Sequence, residues 1–155
     1  MSQIEDKLQA MGIILPDAPA PLGNFLPFLI DGSHLHISGQ ISVGLDGKPI
    51  TGQIGADYSV EHGYEAARFC AINLLARARA ALGDLDRIER LIKLGGFINS
   101  EAGFSQHPKV LNGASDLFAE ILGPDKAGHV RFAVGSSSLP ANASVEIEAI
   151  FRITD

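Results

Sequence analysis

From residue 145 to residue 153 the side chains alternate: Val145, Ile147, Ala149, Phe151 and Ile153 take every second position, with Glu146, Glu148 and Arg152 between them. Successive strand side chains point to opposite faces, so this segment predicts a strand with one core face and one polar face. Residues 130–134 follow the same rule, Val130, Phe132 and Val134 alternating with Arg131 and Ala133. The connection Gly135-Ser136-Ser137-Ser138-Leu139-Pro140 is built of turn residues, and the two segments read together as a hairpin. Centred on Ser138 and Leu139, that hairpin sets Arg131 directly opposite Glu146, both out of phase with the apolar residues and on the face away from the core.

The remaining elements follow from period and punctuation. His34 to Val43 alternates, with Leu35, Ile37, Ile41 and Val43 on one side and His34, His36, Ser38, Gln40 and Ser42 on the other. Residues 25–30 form a short strand containing Pro27, which suits a sheet edge. In residues 59–82, Ala67, Cys70, Ala71, Leu74, Leu75, Ala78 and Leu82 recur at three and four, the stripe of an amphipathic helix. Ser59 caps it and Gly83 ends it. Residues 88–99 predict a mostly apolar strand. Residues 108–122 predict a second helix, with Val110, Leu111, Ala114, Leu117, Phe118 and Ile121 inward. A short helix near Ile4, Leu8 and Met11 is stopped by Gly12 and Pro16, and a Pro/Ala-rich connector follows. The class is α+β: one sheet with two main helices on one face. The other face is left to water or to a partner subunit in a closed ring or dimer.

Composition narrows the function. The chain has 155 residues, the length of one ordinary domain, and 46% of them are hydrophobic. No apolar run is long enough to span a bilayer, and Met1 to Lys7 lacks the pattern of a signal peptide, so a cytoplasmic location is expected. Lys and Arg total 12 against 18 Asp and Glu, for a net charge of −6, and no basic stripe exists to neutralise phosphates. Nucleic acid is therefore an unlikely main partner. Cys70, the single cysteine, sits on the apolar stripe and reads as a buried thiol. His34 and His36 share a face, but a metal site needs a third ligand that the pattern does not supply, so no metal is expected. His62, His107 and His129 fall near element ends and read as surface residues. Gly95-Gly96 reads as a bulge. The Gly135–Ser138 run is either an anion-contacting turn or a flexible one.

Arg131 and Glu146 form the most suggestive constellation. A guanidinium grips a carboxylate with two bonds, and a neighbouring carboxylate orients a water or relays a proton. Taken alone, a cross-strand Arg–Glu pair is more often structural than catalytic.

The run from Arg131 through Leu139-Pro140 to Val145-Glu146-Ile147-Glu148-Ala149 resembles the signature of the RidA (YjgF) family, without gaps. Ser38-Gly39-Gln40 and Pro21-Leu22-Gly23-Asn24-Phe25 are similar to that family too, and Asn112 falls where the family has an Asn. The resemblance implies a chorismate-mutase-like fold over residues 1–155, with residues 1–20 as an N-terminal extension. It implies a homotrimer with sites in the clefts between subunits, and no cofactor. Arg131 would grip the substrate carboxylate and Glu146 would place the hydrolytic water. Phe25, Gly39, Asn112 and Ala133 would line the cleft. Phe25 stands where the family often has Tyr, and Ala133 where it often has Cys. The implied activity is hydrolysis of 2-imino acids or enamines to 2-keto acids and ammonia. The alternatives are a carboxylate-binding protein without turnover and an endoribonuclease-like enzyme.

Overall fold

The computed structural model of the chain describes residues 2–155. Helix α1 (Gln3–Ala10) opens on a reciprocal cap: Ser2 Oγ accepts from the Glu5 amide, and the Glu5 carboxylate accepts from the Ser2 amide. The Asp86 carboxylate takes the free amides of Gln3 at 2.8 Å and Ile4 at 3.2 Å, pinning α1 to the turn at residues 85–87. Strands β1 (Phe28–Asp31) and β2 (His34–Ile41) form a hairpin, with Pro27 left outside the ladder. Helix α2 (Val60–Leu82) follows, with Ser59 Oγ accepting from the His62 amide and Gly83 in the left-handed region at its end. Strand β3 (Ile88–Asn99), helix α3 (His107–Leu122), the short helix α4 (Pro124–Ala127), strand β4 (Val130–Ser136) and strand β5 (Val145–Ile153) complete the chain.

The five strands lie in the order β1-β2-β5-β3-β4. This corrects the expected hairpin: β4 and β5 are not neighbours. β5 is antiparallel between β2 and β3, while β4 runs parallel to β3 at the sheet edge. Parallel neighbours require a long crossover, and α3 supplies it between β3 and β4. The turn-rich residues 137–144 instead cross the end of β3, where Asn99 Nδ2 donates to the Ala143 carbonyl and to Asn142 Oδ1.

Both long helices cover one face of the sheet, as the two stripes require. Every apolar residue named above for α2 and α3 is buried, and they meet Leu35, Ile37, Leu91, Leu94, Ile98, Val145, Ile147 and Phe151 from the strands. Phe118 and Phe151 meet edge to face at 5.7 Å between ring centroids.

Two departures from the expected strand pattern have local causes. The β2–β5 register slips between Ile37 and Gln40, so side chains beyond this bulge change face. Gln40 and the fully buried Ser42 point to the helices, while Ile41, paired with Glu146, points away. Gly95 and Gly96 are not a bulge. They sit in regular pairing, where a Cβ would meet the Phe132 ring at 2.7 Å and Leu111 at 2.5 Å respectively.

The helix pair depends on one close approach. A Cβ on Gly113 of α3 would lie 1.9 Å from the Tyr64 carbonyl oxygen of α2, which is backbone and has no freedom to yield. Gly113→Ala is therefore expected to push the helices apart and destabilise the protein by at least about 2 kcal/mol. Urea unfolding of the variant beside the wild type measures the loss.

Candidate functional site

Arg131 lies on β4 beside Leu94 of β3, and its side chain turns to the helix face, not away from it. Val130, Phe132 and Val134 take the open face instead, Val130 being 67% exposed. The apolar residues of this edge strand thus point outward, the reverse of the expected phase. The reason is tertiary: where α3 passes over β4 it presents Asn112 and Ser115. Arg131 Nη1 donates to Ser115 Oγ at 2.9 Å, and Nη2 donates to Asn112 Oδ1 at 2.9 Å and to the Pro108 carbonyl at 3.2 Å. All three acceptors are neutral, and no carboxylate forms an ion pair with Arg131 among the described residues. Partial burial lowers the pKa of the guanidinium from its ordinary value, and the charge of Asp116 opposes that shift. A positive charge held in place by neutral acceptors remains available to an anion. Asn112, marked by resemblance alone, is thereby joined directly to Arg131. Ala133 sits two residues along the same face of β4, partly buried against the core.

Glu146 occupies the opposite face, at the bulged end of β2 and β5. It pairs with Ile41 on one side and with Phe97 on the other. Gly39 lies beside it, and a Cβ there would come within 2.8 Å of Glu146 Oε1. Glycine is what lets the carboxylate rest against the β2 backbone. No cation pairs with Glu146 among the described residues, and burial raises its carboxyl pKa above the ordinary value. A carboxylate that is partly desolvated and unpaired is poised to exchange a proton. The loop bearing Phe25, which is 54% exposed, is fastened to the same end of β2: Ser38 Oγ donates to the Leu26 carbonyl at 2.7 Å and the Ser38 amide to the Pro27 carbonyl at 3.1 Å.

Arg131 and Glu146 are therefore not a cross-strand pair. β3 separates their strands, and Glu146 lies three residues further along β3 than Arg131. From strand spacing and rise their Cα atoms are about 14 Å apart, with side chains on opposite faces. The candidate residues therefore fall into two groups: Arg131, Asn112 and Ala133 at the β4–α3 edge, and Glu146 with Gly39 on the open face, near the end of β2 to which the Phe25 loop is tied. That open face also presents Phe97 and Val134, both substantially exposed, and the Phe132 ring, which meets Phe97 at 5.5 Å.

Other candidates resolve differently. Cys70 is fully buried with its thiol on the Val145 carbonyl, and burial pushes its pKa well up, with the charge of Glu146 adding to the shift. The Ser136 hydroxyl donates to the Ser138 carbonyl at 2.6 Å, within the turn-rich run. His62, His107 and His129 are partly buried, not surface residues. His62 Nε2 lies 3.1 Å from the Thr51 carbonyl, and His107 Nε2 lies 3.3 Å from Ser100 Oγ. His62 and His107 reach partners 11 and 7 residues away, and sequence spacing carries no sign of these bonds.

Comparison with known proteins agrees with this architecture. Residues 5–151 match the family model described as "YjgF/chorismate mutase-like, putative endoribonuclease". The chain belongs to the YjgF family. It is 41% identical to Protein TCP17 of Trypanosoma cruzi over 153 residues, which is 99% of this chain and 96% of that protein. The crystal structure of Atu1372 from Agrobacterium tumefaciens superposes with a TM-score of 0.90 at 45% identity, covering 98% of this chain and 93% of the other. TdcF of E. coli, solved with bound serine, gives a TM-score of 0.61 at 28% identity, covering 88% of this chain and 94% of TdcF. No helix among the described residues is long and apolar enough to cross a membrane.

The raised pKa of Glu146 has a thermodynamic sign. A carboxyl with a higher pKa folded than unfolded binds protons more tightly in the folded state. Stability is therefore lost as pH rises from the unfolded pKa through the folded one. Glu146→Gln removes that penalty, so it should raise Tm at neutral pH, and the gain should shrink as pH falls through the carboxylate range. Thermal melts of both proteins across pH check this.

Proposed function

We propose that this YjgF-family protein hydrolyses reactive 2-imino acids and their enamine tautomers to 2-keto acids and ammonia, in a cleft formed between subunits of a homotrimer. The observation that carries the reading is the guanidinium of Arg131, which is fixed by three neutral acceptors and forms no ion pair among the described residues. The serine bound in TdcF supports it, since serine is a small molecule bearing a carboxylate.

The chemistry needs two charges of opposite sign on one substrate, and one chain keeps them on opposite faces. A second copy that sets its open face against the β4 edge of the first brings Glu146 of one to Arg131 of the other. Such a head-to-tail contact, repeated with a rotation of a third of a turn, gives the closed three-membered ring of this proposal. The exposed Phe97, Val130 and Val134 supply apolar surface for it. Arg131 then holds the substrate carboxylate. Glu146 takes a proton from water as the water oxygen adds to the imine carbon, and gives it to the nitrogen to form a carbinolamine. The remaining hydroxyl proton then passes through Glu146 to the amine as the carbonyl forms, the C–N bond breaks and ammonia leaves. Positioning the carbon against the water is the main catalytic gain.

RNA cleavage, which the family description names, is the rival reading. The net charge of −6 disfavours a polyanionic substrate. Binding of a small carboxylate without turnover is the other rival.

The deciding experiment follows ammonia and 2-keto acid release from 2-aminoacrylate generated in situ. Wild type should accelerate release, and Arg131→Ala should lower kcat/KM about a hundredfold. Glu146→Gln should lower kcat. Co-expressing the two inactive variants should restore activity to about a quarter of wild type, because random mixing in a ring leaves one cleft in four intact. Release at the spontaneous rate by wild type would refute the hydrolase reading. Failure of the mixture to recover activity would refute the shared cleft.

A further inference from the structure

Ser115 and His129 stand outside every residue marked by the family resemblance, yet they end on its key cation. His129 Nδ1 lies 2.6 Å from the Ala127 carbonyl. A carbonyl only accepts, so Nδ1 carries the proton, and in the neutral ring Nε2 is then a bare acceptor. Ser115 Oγ lies 3.0 Å from that Nε2, so the hydroxyl donates to it. With its proton committed there, Ser115 Oγ offers its lone pairs to Arg131 Nη1 at 2.9 Å. The chain of bonds has one direction throughout: guanidinium to serine, serine to imidazole, imidazole to carbonyl. Each partner comes from a different element, with Ser115 on α3, His129 in the link before β4, Ala127 at the end of α4 and Arg131 on β4.

The direction matters for Arg131. A serine free to rotate presents either its proton or its lone pairs to a neighbour, and a proton turned toward a guanidinium repels it. Locking the proton onto His129 leaves Ser115 only as an acceptor, so Arg131 is held without competition. We infer that Ser115 and His129 are positioning residues that orient Arg131 for the substrate carboxylate, a role that rests on the reading of Arg131 given above. Asn112 and Pro108 fix Nη2, and Ser115 fixes Nη1, so the plane of the guanidinium is set from both ends.

Two measurements test this, and only one needs a substrate. In the full-length protein at about pH 8, above the ordinary imidazole range, nitrogen-proton correlation spectra should show His129 as the Nδ1-protonated tautomer. Ser115→Ala should shift the Arg131 Nε–H resonance. In the hydrolysis assay Ser115→Ala should raise KM about tenfold with kcat within about twofold, because a carboxylate grip acts on substrate and transition state alike. His129→Phe should follow Ser115→Ala, and His129→Gln, which keeps an acceptor near the Nε2 position, should retain most of the affinity. In an Arg131→Ala background Ser115→Ala should add no further loss, as two members of one unit do not act independently. The Nε2-protonated tautomer, an unmoved Arg131 resonance, or losses that multiply with Arg131→Ala would each overturn the inference. If the wild type hydrolyses no imine, the functional reading falls, and the tautomer and the Arg131 resonance still decide the relay.

Discussion

The structure hangs on β5. Its odd-numbered side chains, Val145, Ile147, Ala149, Phe151 and Ile153, are all buried beneath the two helices, and it is hydrogen-bonded along both edges to β2 and β3. A strand so placed has no tolerance for a slip, because a shift of one residue would turn its carboxylates into the core. That constraint is also what presents Glu146. The same alternation that drives Val145 and Ile147 inward holds the carboxylate between them outward and partly desolvated, beside the Gly39 backbone.

Arg131 is placed by a different logic. It sits on an edge strand, where the sheet alone leaves a side chain loosely defined. Its position comes from α3, whose contact with α2 at Gly113 and Tyr64 sets how Asn112 and Ser115 reach over β4. The placement of Glu146 is thus a property of strand periodicity and that of Arg131 a property of helix packing. Their separation across the sheet is why the proposed cleft calls on a second copy, seated on the apolar outer surface of β3 and β4.

The sequence made most of the elements legible, since amphipathic period and capping residues act over a few neighbours. The stripes of α2 and α3 and the core face of β5 are read directly from spacing. Asn112, Gly39 and Phe25 had no such signal and entered through family resemblance alone. Ser115 and His129 were invisible, because the bond between them joins residues 14 apart on separate elements, and nothing in their spacing marks it.

What the sequence determined by itself is which residues alternate, which face of each helix is apolar, and that Arg131 and Glu146 are charged side chains set among apolar neighbours. What only the tertiary structure decided is strand order and facing. A turn-rich link between two alternating segments favours a hairpin, yet β5 inserts between β2 and β3 while α3 carries β4 to the far edge. The bulge near Gly39 reverses the faces of Gln40 and Ile41, and α3 draws Arg131 to the helix side. Alternation encodes that two sets of side chains part company, but the choice of which set meets the core belongs to whatever packs against the strand, and that neighbour is distant in sequence.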